Sequence, residues 1–257
     1  MHLVQLVILQ LKYFTNFKNK MYQFLWIFEP LILLLTLYFM FKLKGLPITN
    51  QYILAIGLLN SWIYVLYSSG SSLTSEKFKG TLELLITSNT PLYKVILSKA
   101  ICNTLVGFFS FMFTYFYGLI LFSINIDINN VQYLILSLIS VFVSMVSLGI
   151  TFAVLFVSFK NIYAFQNLIL YPIPILTGVF YSIDNFPVYL KIISNLMPLT
   201  WSIRALYLPF NSSFEFHIYK ELIFNALFIS IIYFICCYYF IKKAEGRLKL
   251  TGNMGEN

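Results

Sequence analysis

The chain has 257 residues, of which 60% are hydrophobic, 19% aromatic and only 10% charged. A water-soluble domain carries about 25% charged residues, so lipid must solvate much of this surface, and a soluble fold is excluded. On such a chain a formal charge of +8 points to loops facing anionic lipid rather than to nucleic acid.

Backbone polar groups go unpaired in lipid only at great cost, which leaves helices or closed barrels as spanning structures. The apolar runs are roughly 20 residues long and lack the roughly 10-residue alternation of membrane strands. The expectation is an all-α membrane protein, with residues 1–257 forming a single transmembrane domain of six helices.

Residues 1–20 read as an interfacial helix. Leu3, Leu6, Val7, Phe14 and Phe17 share one helical face, with Lys12 and Lys20 off it. No basic leader precedes this stretch and no small-residue cleavage site follows Lys18 and Lys20, so a cleavable signal peptide is not expected. A first span is expected at 21–41, closed by a turn with Lys42, Lys44, Gly45 and Pro47, and a second at 52–73. A charged segment follows, ending at Lys99, and the third span is placed at 100–122. After a polar turn around Asn125 and Asp127 comes a fourth span at 131–157, then a short loop with Lys160 and Asn161. A fifth apolar stretch, 163–181, is interrupted by Pro172 and Pro174, which remove backbone donors and kink a helix. The extracellular segment, 182–220, contains an amphiphilic piece at 188–201 too broken to cross. The last span is expected at 222–241, followed by a basic, then polar tail.

Placing the N-terminus in the cytoplasm puts Lys42, Lys44, Lys191, Arg204 and Lys220 outside and leaves the other twelve of the 17 basic residues inside. That distribution obeys the rule that positive residues stay inside, and six spans return the C-terminus to the cytoplasm.

Nothing in the sequence suggests catalysis. His2 and His217 are far apart, and Cys102, Cys236 and Cys237 lie within apolar runs and read as packing residues, so no metal site is expected. No phosphate-binding loop is present, so the chain is not expected to bind ATP in that way. Tyr115, Phe116, Tyr117, Tyr171 and Tyr181 read first as packing or lipid-facing aromatics. Arg204, after Trp201, either anchors the outer segment to headgroups or gates an exit.

Glu29 is roughly 8 residues, or about 12 Å, into the first span. A charge at such depth costs about 2.5 to 3.5 kcal/mol. One reading places Glu29 at a dimer interface or on a substrate path; the other makes it a neutral, hydrogen-bonded carboxyl beside the Pro30 kink.

The segment 75–91 is the largest charged insertion between spans. Gly80 can end one helix, Thr81 can cap the next, and Glu83 then falls in the first turn, where the helix dipole favours negative charge. Phe78, Leu82 and Leu85 fall on one face, and Thr90-Pro91 restarts a helix. The pattern describes a short amphipathic helix on the cytoplasmic face, resting on headgroups or docking a soluble partner.

The run Glu76-Lys77-Phe78-Lys79-Gly80-Thr81-Leu82-Glu83-Leu84-Leu85, followed by Thr87 and Pro91, resembles the cytoplasmic coupling segment of ABC-type-two exporter permeases. Leu176-Thr177-Gly178-Val179-Phe180, Phe186-Pro187 and Asn195-Leu196-Met197-Pro198-Leu199-Thr200 resemble that family's fifth span and extracellular re-entrant hairpin, and Glu29-Pro30-Leu31 fits one branch. The resemblance implies a permease of the cytoplasmic membrane with six spans and an N-terminal interfacial helix. It also implies pairing with a second permease subunit, identical or not, and two separate ABC ATPase subunits carrying ATP and magnesium. By the same resemblance Glu76, Gly80, Thr81, Leu82 and Glu83 make the ATPase contact. The chain itself would carry no cofactor, and its partners would be the ATPase, the second permease and the bilayer, with no nucleic acid.

Two other classes stay open: an ATP-independent secondary transporter or channel, and a non-transporting scaffold or sensor subunit. Against the first, the spans carry almost no ionisable residue except Glu29. The cargo is not fixed by the fold, although spans of low charge favour an amphiphile over a highly charged molecule.

Overall fold

The computed structural model describes residues 3–14, 24–45, 48–78, 80–81, 84–85, 88, 90–122, 131–156, 162–210 and 215–251. No strand occurs among them. The α-helices are α1 (Leu3–Phe14), α2 (Glu29–Lys44), α3 (Asn50–Phe78), α4 (Leu92–Phe122), α5 (Val131–Phe156), α6 (Ile162–Leu170), α7 (Pro172–Leu176), α8 (Val188–Leu196), α9 (Pro198–Tyr207) and α10 (Phe216–Thr251). Among the described residues, 4 helical stretches are long and apolar enough to cross a membrane: Asn50–Ser69, Leu92–Phe122, Val131–Phe156 and Phe216–Gly246.

The helices run past the expected ends of the spans. α3 continues to Phe78, so the start of the charged segment is its last turn. α4 begins at Leu92, earlier than the expected start of the third span, and carries Lys99 within it. The fifth apolar stretch is not one helix to residue 181: it breaks at Tyr171 and ends at Leu176. The amphiphilic piece at 188–201 is two helices, α8 and α9, split where Pro198 takes the first position of a new helix.

A π-helical turn, Phe24–Phe28, leads directly into α2. Pro30 accounts for it: proline has no N–H, and its ring clashes with the carbonyl four residues back, so the turn widens around Trp26. α1 packs against α4 with Leu6 buried, while Val4, Ile8 and Leu9 stay exposed.

α3 is the most enclosed of the long helices and packs most extensively on α4. Small residues allow the approach. A Cβ on Gly107 would lie 3.1 Å from the Ser61 carbonyl oxygen. Ser61 Oγ instead donates to the Gly107 carbonyl at 2.9 Å, and Asn60 Nδ2 donates to Thr114 Oγ1 at 3.0 Å. Where lipid removes the hydrophobic drive, close backbone approach and interhelical hydrogen bonds hold helices together.

The break at Pro174 is satisfied from α3. Proline withholds the donor that the Leu170 carbonyl would receive in a continuous helix. The Trp62 indole, buried at the centre of the main core, donates to that carbonyl at 3.0 Å. Gln166 Nε2 donates to the Leu66 carbonyl at 3.2 Å, so α6 is pinned to α3 twice.

A seam of serines fixes α9 between α5 and α10. Ser202 Oγ lies 2.8 Å from Ser140 Oγ and 2.7 Å from Ser144 Oγ, and Ser144 reaches Ser230 at 3.4 Å. Ser137 Oγ donates to the Ala205 carbonyl at 3.0 Å. All of these serines are buried. Cys102 and Cys237 are buried as well, whereas Cys236 is exposed.

Candidate functional site

Of the residues singled out between the second and third spans, Glu76, Gly80 and Thr81 lie where α3 ends and α4 begins. Gly80 adopts φ +68°, a left-handed conformation that glycine takes without the Cβ penalty. This turns the chain so that the Thr81 amide donates back to the Glu76 carbonyl at 3.0 Å, closing α3. The expected helix stop at Gly80 is therefore present. Thr81 faces both ways. Its carbonyl accepts the Leu85 amide at 3.1 Å and so opens the next turn, but its hydroxyl turns back and donates to the Glu76 carboxylate. The hydroxyl proton thus goes to a carboxylate, a strong acceptor, and the Oγ lone pairs stay available to the next turn.

The other carboxylate oxygen of Glu76 accepts from Lys99 Nζ at 2.8 Å. Lys99 is buried inside α4, so this ion pair ties the last turn of α3 to the second turn of α4. Two buried charges are costly unless paired and hydrogen-bonded. Here Thr81 supplies the additional bond, which joins α3, α4 and the start of the connecting segment at one carboxylate.

The segment is seated by apolar contact too. Leu85 packs against the cluster of Leu92, Ile96, Ile150 and Cys237, while its neighbour Leu84 is 70% exposed. Ser88 Oγ donates to the Leu85 carbonyl at 2.8 Å and accepts the Thr90 amide at 3.3 Å. Pro91 then accepts the Lys94 amide at 2.9 Å as α4 starts. The segment is thus pinned at both ends, with one apolar side chain inward and one outward. Leu82 and Glu83 lie outside the described residues, as does Thr87, and so does any statement on the full amphipathic helix.

Glu29 is not part of this cluster. It is the first residue of α2, half-buried and next to the buried Pro30. Elsewhere, Tyr67 OH donates to Asn167 Oδ1 at 2.5 Å and so joins α3 to α6.

Two features were not found from sequence. Lys99 looked like the edge of a loop; its partner is 23 residues away, and no local pattern announces such a pair. The serines at 137, 140, 144 and 147 do carry a local signal, since spacings of three and four place them on one helical face.

Compared with individual curated proteins, the chain finds no match. The family model described as "ABC-2 type transporter" matches residues 4–211, which takes in α1, the connecting segment and the α8–α9 pair. With most of its length and both regions of resemblance inside that match, this multi-pass membrane chain belongs to the ABC-2 type transporter family.

Proposed function

We propose that the chain is the membrane-spanning permease of an ATP-driven exporter, with ATP and magnesium bound on a separate ATPase subunit that docks on the 75–91 segment. The observation that carries this reading is the clamp at Glu76. A soluble motor moves membrane helices only through a connection that does not absorb the motion. Lys99, Thr81 and Leu85 tie the described part of the segment to α3 and α4. Glu76 acts inward in this scheme, Gly80 and Thr81 shape the turn, and Leu82 and Glu83 meet the ATPase alongside the exposed Leu84.

The finer architecture follows the same reading. The π turn of 5 residues and the 16-residue α2 are continuous, long enough at 1.5 Å per residue to cross about 30 Å of hydrocarbon. They supply the first of six crossings. α6 and α7 enter the bilayer as a fifth, shortened at Leu176, and α8–α9 form the re-entrant segment on the outer side. Both termini are cytoplasmic, α1 lies at the inner interface of the cytoplasmic membrane, and a second permease covers the region around Glu29.

Purification of the protein from its own cells in mild detergent, with partners identified by mass spectrometry, tests the reading. A stoichiometric chain with a nucleotide-binding phosphate loop is expected, lost in Gly80→Pro and Glu83→Ala. Absence of any ATPase, even after cross-linking before extraction, would overturn it.

A further inference from the structure

The Gln51 and Glu76 ends of α3 lie about 38 Å apart at 1.5 Å per residue. At the Gln51 end opens a cavity of about 430 Å³ between α3, the turn after Gly178, α9 and α10. Its lining is mixed: Val179, Ile183, Ile203 and Leu222 are apolar, while Gln51, Ser182 and Tyr207 bring polar groups. Two charged groups also line it: Arg204 and Asp184, paired at 2.7 Å.

This pair is built asymmetrically. Arg204 is braced from below by the Trp201 ring, 5.9 Å from the guanidinium, on a helix held by the serine seam. Asp184 sits on the short turn Ile183–Asn185, mostly exposed, with Ser182 Oγ donating to its second oxygen at 3.0 Å. The cation is therefore fixed, and the anion is a replaceable cover. A guanidinium presents five N–H donors in a planar fork that suits a carboxylate or phosphate. The apolar side chains beside it add a surface for a small hydrophobic body, which a bare ion would leave unused.

We propose that this cavity binds an amphiphile with an anionic phosphate or carboxylate head, its apolar part between α9 and α10 and its head replacing Asp184 on Arg204. A membrane phospholipid and a transported molecule share that chemistry. The site involves no ATPase, so it stands or falls separately from the coupling scheme.

Native mass spectrometry of the full chain in maltoside, titrated with dodecyl phosphate, tests it. Arg204→Gln is expected to weaken binding about tenfold through loss of a charge-assisted bond, with Arg204→Lys in between. Asp184→Asn, on an exposed side chain that the fold does not need, is expected to tighten it by removing the competitor. Dodecanol is expected to bind far more weakly, and inorganic phosphate not to compete. Phosphatidylglycerol retained by the wild type but not by Arg204→Gln would make membrane lipid the source; dodecyl phosphate bound with no phosphatidylglycerol retained would point to a single-chain transported amphiphile. Equal affinity for dodecyl phosphate in wild type and Arg204→Gln, or weaker binding in Asp184→Asn, would overturn the proposal. So would dodecanol binding as tightly, or full displacement by inorganic phosphate.

Discussion

Among the described residues, two ion pairs of nearly the same length lie at opposite ends of the bundle, 2.8 Å for Lys99–Glu76 and 2.7 Å for Arg204–Asp184. Their surroundings differ. Lys99 and Glu76 are 4% and 23% exposed, Arg204 and Asp184 30% and 77%. The geometry of a pair is therefore a poor guide to its role. Removing one member of a buried pair strands a charge, whereas an exposed pair exchanges its partner for water at little cost. The first arrangement suits a strut joining two helices, and the second suits a latch.

Substitutions can break that contrast. The largest effect is expected from Lys99→Met, which takes the opposite charge away from the half-enclosed Glu76. A loss of about 3 kcal/mol is expected, at the low end for a buried pair because Glu76 keeps some contact with water. It would be read as a fall in thermal unfolding temperature in detergent. Adding Glu76→Leu should recover most of that loss, because an apolar pair strands nothing. A double variant no better than the single would mean that the pair is not what holds the two helices.

Overpacking between α3 and α4 comes next. Gly107→Leu drives a side chain toward the Ser61 backbone and is expected to cost about 2 kcal/mol. Gly246→Leu meets nothing within 4 Å and serves as the control. Gly80→Ala forces an L-residue into the left-handed region at a cost of about 1 kcal/mol. That change should appear as faster hydrogen exchange in the last turn of α3 rather than as global unfolding. The smallest effect is expected from Asp184→Asn, below about 1 kcal/mol in unfolding measurements, shrinking further in high salt.

The sequence made the Glu76 end partly legible and the Arg204 end less so. Gly80 announced the close of α3 because only a few residues tolerate that conformation, and Thr90-Pro91 announced the restart of α4. The Thr81 hydroxyl also donates to the Glu76 carboxylate, a bond that a search for helix caps does not look for, because capping uses the hydroxyl as an acceptor. Lys99 was read as loop because charge ordinarily marks a span's edge, and its burial depends on a partner that only the folded α3–α4 pair brings near. The Pro172 and Pro174 interruption was visible, but not its consequence, since the Trp62 indole that satisfies the freed carbonyl comes from another helix. Apolar runs located the long helices well and their ends poorly, because amphipathic turns such as 92–99 continue a helix without extending the hydrophobic run. The Arg204–Asp184 latch left no trace beyond two charges in a polar segment.

The proposed ATPase docks on the 75–91 segment, at the Glu76 end of the bundle. The direct measurement is site-specific photo-cross-linking in native membranes from Leu84, 70% exposed beside the clamp, and from Leu43, 87% exposed near the end of α2. Capture of a nucleotide-binding chain from Leu84 but not from Leu43 is the predicted result. Capture from Leu43, or from neither position in a correctly inserted protein, would contradict it.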